Sequence, residues 1–153
     1  MLRAGLAAAR ALLLVGLVAC GGGGDGPAAP EAPRYPAVAG SYNVTGQFDR
    51  IPGGQIVGTL VIIQPSRARP QLSGSAQISA PGLGAGVAEL PLSNAIVSEQ
   101  GEIAFNYGPA DQATTWRFTG TLSPSGEIIS GVHVLQSTDS RFTGDWMAAR
   151  RLQ

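Results

Sequence analysis

Few residues in this chain are able to do chemistry. Its 153 residues include one histidine, one cysteine and no lysine. Nucleophilic catalysis needs a base held beside the nucleophile. His133 is the only imidazole available, and it lies between Val132 and Val134, in alternation with Ile129 and Leu135. That is the setting of a packed or barrel-surface histidine. No Gly-x-Ser-x-Gly elbow occurs, and without lysine no Ser-x-x-Lys pair can form. The acid pairs Glu99 with Glu102 and Asp139 with Asp145 fall in loops or on wet strand faces, where solvation accounts for them without acid–base catalysis. No calcium loop of alternating Asp and Asn is present. One His and one Cys do not make a zinc, haem or iron–sulfur ligand set. The expectation is a protein that is not an enzyme and carries no metal or cofactor.

Ten Arg are balanced by ten Asp plus Glu, so the chain lacks the basic footprint of a nucleic-acid binder. Charged residues make up only 13%, whereas glycine (22) and proline (11) are plentiful, which points to turns and bent strands more than to helices.

The cysteine is better placed for chemistry than the histidine. Arg3 and Arg10 precede a short apolar run, Ala11–Ala19, which ends at Cys20. Nine residues in a helix reach roughly 14 Å, about half the hydrocarbon thickness of a bilayer, so a secretory signal fits and a spanning helix does not. A lone cysteine in an oxidising compartment has no disulfide partner. The sequence Leu17-Val18-Ala19-Cys20 resembles the lipobox of bacterial lipoproteins. That resemblance implies diacylglyceryl attachment to the Cys20 thiol, cleavage of residues 1–19, and acylation of the new amino terminus. Gly21, standing where an Asp would act as a retention signal, implies sorting to the outer membrane of a Gram-negative envelope, facing the periplasm. The membrane partner is then a set of acyl chains, at about 0.8 kcal/mol per buried methylene. Loss of Arg3 and Arg10 with the signal leaves eight Arg against ten acids, a net charge of −2.

Residues 20–37 comprise the lipidated cysteine and a Gly/Pro-rich stretch that cannot bury a core, and are expected to form a flexible tether. If flexible throughout, residues 21–36 reach roughly 20–24 Å. Gly21–Gly24 are not a phosphate loop, because no strand precedes them and no helix pattern follows.

From residue 38 to 153 the apolar pattern has period two, the signature of strands with one buried face. Tyr42, Val44 and Phe48 alternate with polar residues, and the same alternation runs through Gln71–Ile78, Glu102–Tyr107, Thr115–Leu122 and Arg141–Ala148. Gln55–Gln64, Val87–Val97 and Glu127–Gln136 complete eight predicted strands, separated by turn residues such as Pro52-Gly53-Gly54 and Ser123-Pro124-Ser125-Gly126. Short links favour antiparallel neighbours, giving an all-β up-and-down meander closed as a barrel, or opened into a sandwich. Pro91 cannot donate to a ladder and marks either a bulge or a seam. Glycines recur after an apolar residue and a Ser or Thr, as in Phe118-Thr119-Gly120 and Phe142-Thr143-Gly144, a device for strong coiling. They leave room either for rings from other strands or for a ligand.

This architecture resembles the calycin group of small barrels, lipocalins and avidins. Gly40-Ser41-Tyr42 looks like the Gly-x-Trp of a lipocalin first strand with Tyr replacing Trp. The resemblance implies a ring at the barrel floor beneath an arginine, for which Arg150 and Arg151 are the candidates. No C-terminal helix pattern and no Thr-Asp-Tyr motif follows, so the resemblance carries the fold and not a ligand. Tyr42, Phe105, Tyr107, Trp116, Phe118, Phe142 and Trp146 share the apolar face. They could line a site for a small apolar or amphipathic molecule, or simply be a barrel core. Two functions follow: a ligand-binding envelope lipoprotein, or a non-catalytic accessory protein with a filled barrel and a protein partner.

Overall fold

The computed structural model describes residues 31–83, 88–108 and 114–152, as well as the bounds of nine antiparallel strands. They are β1 (Gly40–Phe48), β2 (Gln55–Ile63), β3 (Ser73–Ser79), β4 (Glu89–Pro91), β5 (Ser93–Val97), β6 (Glu102–Tyr107), β7 (Thr115–Leu122), β8 (Ile128–Gln136) and β9 (Arg141–Arg150). The signal, Cys20 and the tether as far as residue 30 lie outside the described residues.

The sheet runs β4-β3-β2-β1-β9-β8-β7-β6-β5. Its two edge strands, β4 and β5, are consecutive pieces of one extended segment, so the sheet returns to its start as a nearly closed up-and-down barrel. The single predicted strand Val87–Val97 is therefore split in two. Asn94 has φ 51°, and the register against β6 slips between Ser93 and Ile96. One extra residue in a left-handed conformation is a β-bulge, and Asn tolerates that conformation better than other side chains do. Pro91 ends β4 just before the bulge, where its missing N–H interrupts nothing. Past the bulge, Leu72 N–H donates to the Ala95 carbonyl (2.9 Å) and Val97 N–H to the Pro70 carbonyl (2.9 Å), closing the seam.

Inward residues meet in rows across the strands. Phe48, Gly144, His133, Phe118 and Phe105 form one row from β1 through β9, β8 and β7 to β6. Below it runs a row of Gly46, Trp146, Gly131, Gly120 and Ile103. Trp146 and His133 lie against bare glycine backbone, at Gly120 and Gly144. A side chain at Gly131 would strike the Thr119 carbonyl oxygen, and one at Gly120 would meet the Trp146 ring at 3.1 Å. The spaces at Gly120 and Gly144 are thus taken by rings, those of Trp146 and His133, and the space at Gly46 by Ile56. Trp146 spans the gap far enough for its Nε1–H to reach the Thr119 carbonyl on β7 at 2.9 Å. Each such side chain removed from water contributes roughly 1.5–3 kcal/mol.

Residues just before β1 belong to the barrel as well. Arg34 and Tyr35 N–H both donate to the Arg67 carbonyl at 2.8 Å, Val38 N–H donates to Gln64 Oε1 at 3.1 Å, and Val38 is fully buried. The end of the stretch that composition assigned to the tether is tied to the β2–β3 connection.

Candidate functional site: the ring-lined interior

The seven aromatic residues picked from the alternation all point inward. Six are buried, and Phe142 is half-buried at one end of the barrel. Phe105 and Phe118 stack at 5.0 Å with ring planes 9° apart, and Trp146 packs edge-on to both, at 5.7 and 5.2 Å. Trp116 touches Phe118 at 5.4 Å and Tyr107 at 6.0 Å. Such offset and edge-to-face pairs contribute about 0.5–1.5 kcal/mol each beyond the area they bury. Tyr42 stands apart from this cluster, at the other end of the barrel.

The polar atoms of these rings are engaged within the protein. The Tyr107 hydroxyl donates to the Ala88 carbonyl (2.8 Å) and accepts from Ile78 N–H (3.2 Å), bridging β6 to β3 and to the entry of β4. The Tyr42 hydroxyl donates to the Val38 carbonyl (2.7 Å) and accepts from Arg150 Nη2 (2.9 Å). Among the described residues no buried side-chain nitrogen or oxygen lacks a partner.

Arg150, not Arg151, covers the Tyr42 ring, its guanidinium carbon 5.2 Å from the ring centre. It also donates to the Ala39 carbonyl (2.7 Å) and, through Nε, to the Gly126 carbonyl (3.1 Å). One planar fork thereby ties together the chain entering β1, the β7–β8 turn and the end of β9. Burial pushes the Tyr42 phenol above its ordinary range, and the Arg150 charge and hydrogen bond pull the other way.

His133 is the buried group that period two placed on the inner face without revealing its bonds. It is fully buried. Its Nδ1 accepts the Trp116 Nε1–H at 3.1 Å, and Nε2 lies 3.2 Å from the Gln47 carbonyl. An indole can only donate and a carbonyl can only accept, so the pair of bonds requires the neutral Nε2–H tautomer. Phe48 stands edge-on to the ring at 4.7 Å. A Cβ at residue 144 would strike the Gln47 carbonyl oxygen and lie 2.8 Å from His133 Nε2, so Gly144 makes this approach feasible. Burial pulls the imidazole below its ordinary 6.5, opposed by the Gln47 bond and by the charges of Asp49 and Asp145.

The acids considered from sequence, Glu99, Glu102, Asp139 and Asp145, are all exposed, and Glu99 faces Arg34 at 3.5 Å in an exposed ion pair. No cluster of three metal-ligating side chains occurs among the described residues.

The outer wall has its own character. The outward positions of β1, β2 and β3 carry Ser, Thr, Asn, Gln, Val and Ile, and no ionisable side chain. On β2, Val57, Val61 and Ile63 form an aliphatic stripe, 43%, 38% and 54% exposed. No family model matches the chain, and no curated protein matches it significantly.

Proposed function

We propose that this chain is a lipid-anchored accessory protein of the bacterial envelope, in which a ring-filled barrel acts as a rigid, non-catalytic scaffold for a protein partner. The observation that carries this reading is the interior. A small-molecule site offers a few polar groups to orient its ligand, whereas here the inward hydroxyls, indoles and imidazole already bond to one another or to backbone. The neutral wall of β1–β3, with its exposed Val57–Val61–Ile63 stripe, supports docking from outside, since it sets no like charge against a partner. Anchorage rests on the lipobox resemblance at Cys20.

A second reading, binding of a small apolar or amphipathic molecule, draws support from one place. Phe142 and Leu135 are half-buried at one end of the barrel, in the same cross-strand row as Trp116. Mass spectrometry of an organic extract of the purified chain, backed by an indole-fluorescence titration with fatty acids, decides between the two. The scaffold reading expects no stoichiometric small molecule and no quenching. A co-purifying ligand, or saturable quenching lost in Phe142→Ala, would replace it with the binding reading.

A further inference from the structure

We infer that the His133–Trp116 pair is an acid-sensitive latch, which holds one end of the barrel shut while the imidazole is neutral and releases it on protonation. The geometry leaves the cationic ring no place. His133 is fully buried, and its only acceptor atom, Nδ1, is occupied by the Trp116 indole N–H at 3.1 Å. A proton on Nδ1 would set two donors against each other, and Trp116 would have to move. Phe48, Trp116 and Phe118 surround the ring on three sides, at 4.7, 5.8 and 5.8 Å, so the new charge would meet apolar ring faces there. The other nitrogen reaches the Gln47 carbonyl at 3.2 Å, near the end of β1, so the latch also joins β8 to β1 across β9.

Charged groups around the ring do not compensate. Asp49, just past β1, and Asp145, on β9, are the acids it feels, and both are exposed. Arg117 on β7, Arg141 on β9 and Glu102 on β6 occupy exposed outward positions. β8 has no ionisable residue besides His133. On β1 the titratable residue is Tyr42, near its opposite end, and on β6 Tyr107 uses its hydroxyl at the Ile78–Ala88 junction.

The sign follows from which form the closed barrel prefers. Its imidazole is held below 6.5, whereas an opened one returns to about that value. The closed state is therefore favoured fully above pH 6.5, and its advantage falls as pH drops from there toward the lowered value. Between those limits the open fraction rises by up to about tenfold per pH unit.

Nuclear magnetic resonance of the full chain, observing the imidazole and both indole N–H groups from pH 7.5 to 4.5, tests the latch. Trp146 is the internal reference, because it bonds to the Thr119 carbonyl, which does not titrate. The expected result is that Trp116 loses protection in step with His133 protonation, with a midpoint below 6.5, while Trp146 holds. His133→Gln can still accept from Trp116 and donate to Gln47, so it should keep the barrel and abolish the pH response. Three results would overturn the proposal: a Trp116 signal that stays put while His133 titrates, loss of both indoles at one midpoint, or an unchanged response in His133→Gln. The comparison of the two indoles in the unmodified chain stands even if the variant does not fold.

Discussion

At the residue scale, small groups decide how well the barrel closes. Tyr107 contributes more than ring area, because its hydroxyl caps Ile78 N–H at the entry of β4, where the ladder between β3 and β4 has ended. Tyr107→Phe keeps the ring packing but strands that donor. It is expected to cost about 1–3 kcal/mol, read as a lower urea midpoint at unchanged slope. Gly144 is the complementary case, in which the lack of a side chain is what matters. In Gly144→Ala the new methyl would strike the Gln47 carbonyl oxygen and crowd the His133 ring. A loss of about 1–3 kcal/mol is expected, and the His133–Gln47 bond should go with it, visible as altered imidazole nitrogen shifts. An Ala variant as stable as the parent would mean that β1 and β9 can separate there without cost.

At the element scale the bulge at Asn94, inside β5, is a feature that the alternation did not place, although Pro91 marked the segment for a bulge or a seam. Val87–Val97 reads as one strand because its composition is strand-like on both sides of Asn94. The left-handed turn occupies one residue, and Asn is common enough in loops and strand ends to pass unnoticed. The other strands were legible almost to their ends: Glu102–Tyr107 and Thr115–Leu122 fall where the alternation set them, and β8 begins one residue later than predicted. Asn94→Gly should be neutral within a few tenths of a kcal/mol, because glycine enters the left-handed region freely. Asn94→Val should cost about 1–2 kcal/mol, measured by thermal unfolding. Equal stability of the two would show that the bulge relaxes into regular pairing.

At the scale of the whole molecule, the anchorage proposed at Cys20 is expected to be independent of the fold. Cys20→Ala is expected to abolish palmitate labelling and membrane association together, while the far-ultraviolet β signal of the barrel stays as it was. Retained membrane association would mean that the apolar run Ala11–Ala19 holds the protein as a helix, and would overturn the lipoprotein reading.

Much of this molecule is local in origin. Period two, turn residues and the absence of any helical stretch after residue 38 specify an antiparallel β meander, and they sort each strand into a wet and a dry face. Residue counting likewise limits the imidazole to His133 and leaves no lysine. What the rolled sheet alone decided is who meets whom. Alternation states which face a residue takes but not which residue lies opposite. Hence the bond from His133 to the carbonyl of Gln47, 86 positions away in the chain, could not be read from either segment. The choice of Arg150 over Arg151 as the cover for Tyr42 has the same origin, as does the placing of Trp146 across the bare backbone of Gly131 and Gly120. Register couples residues distant along the chain, and it exists only once the strands have closed around a common core.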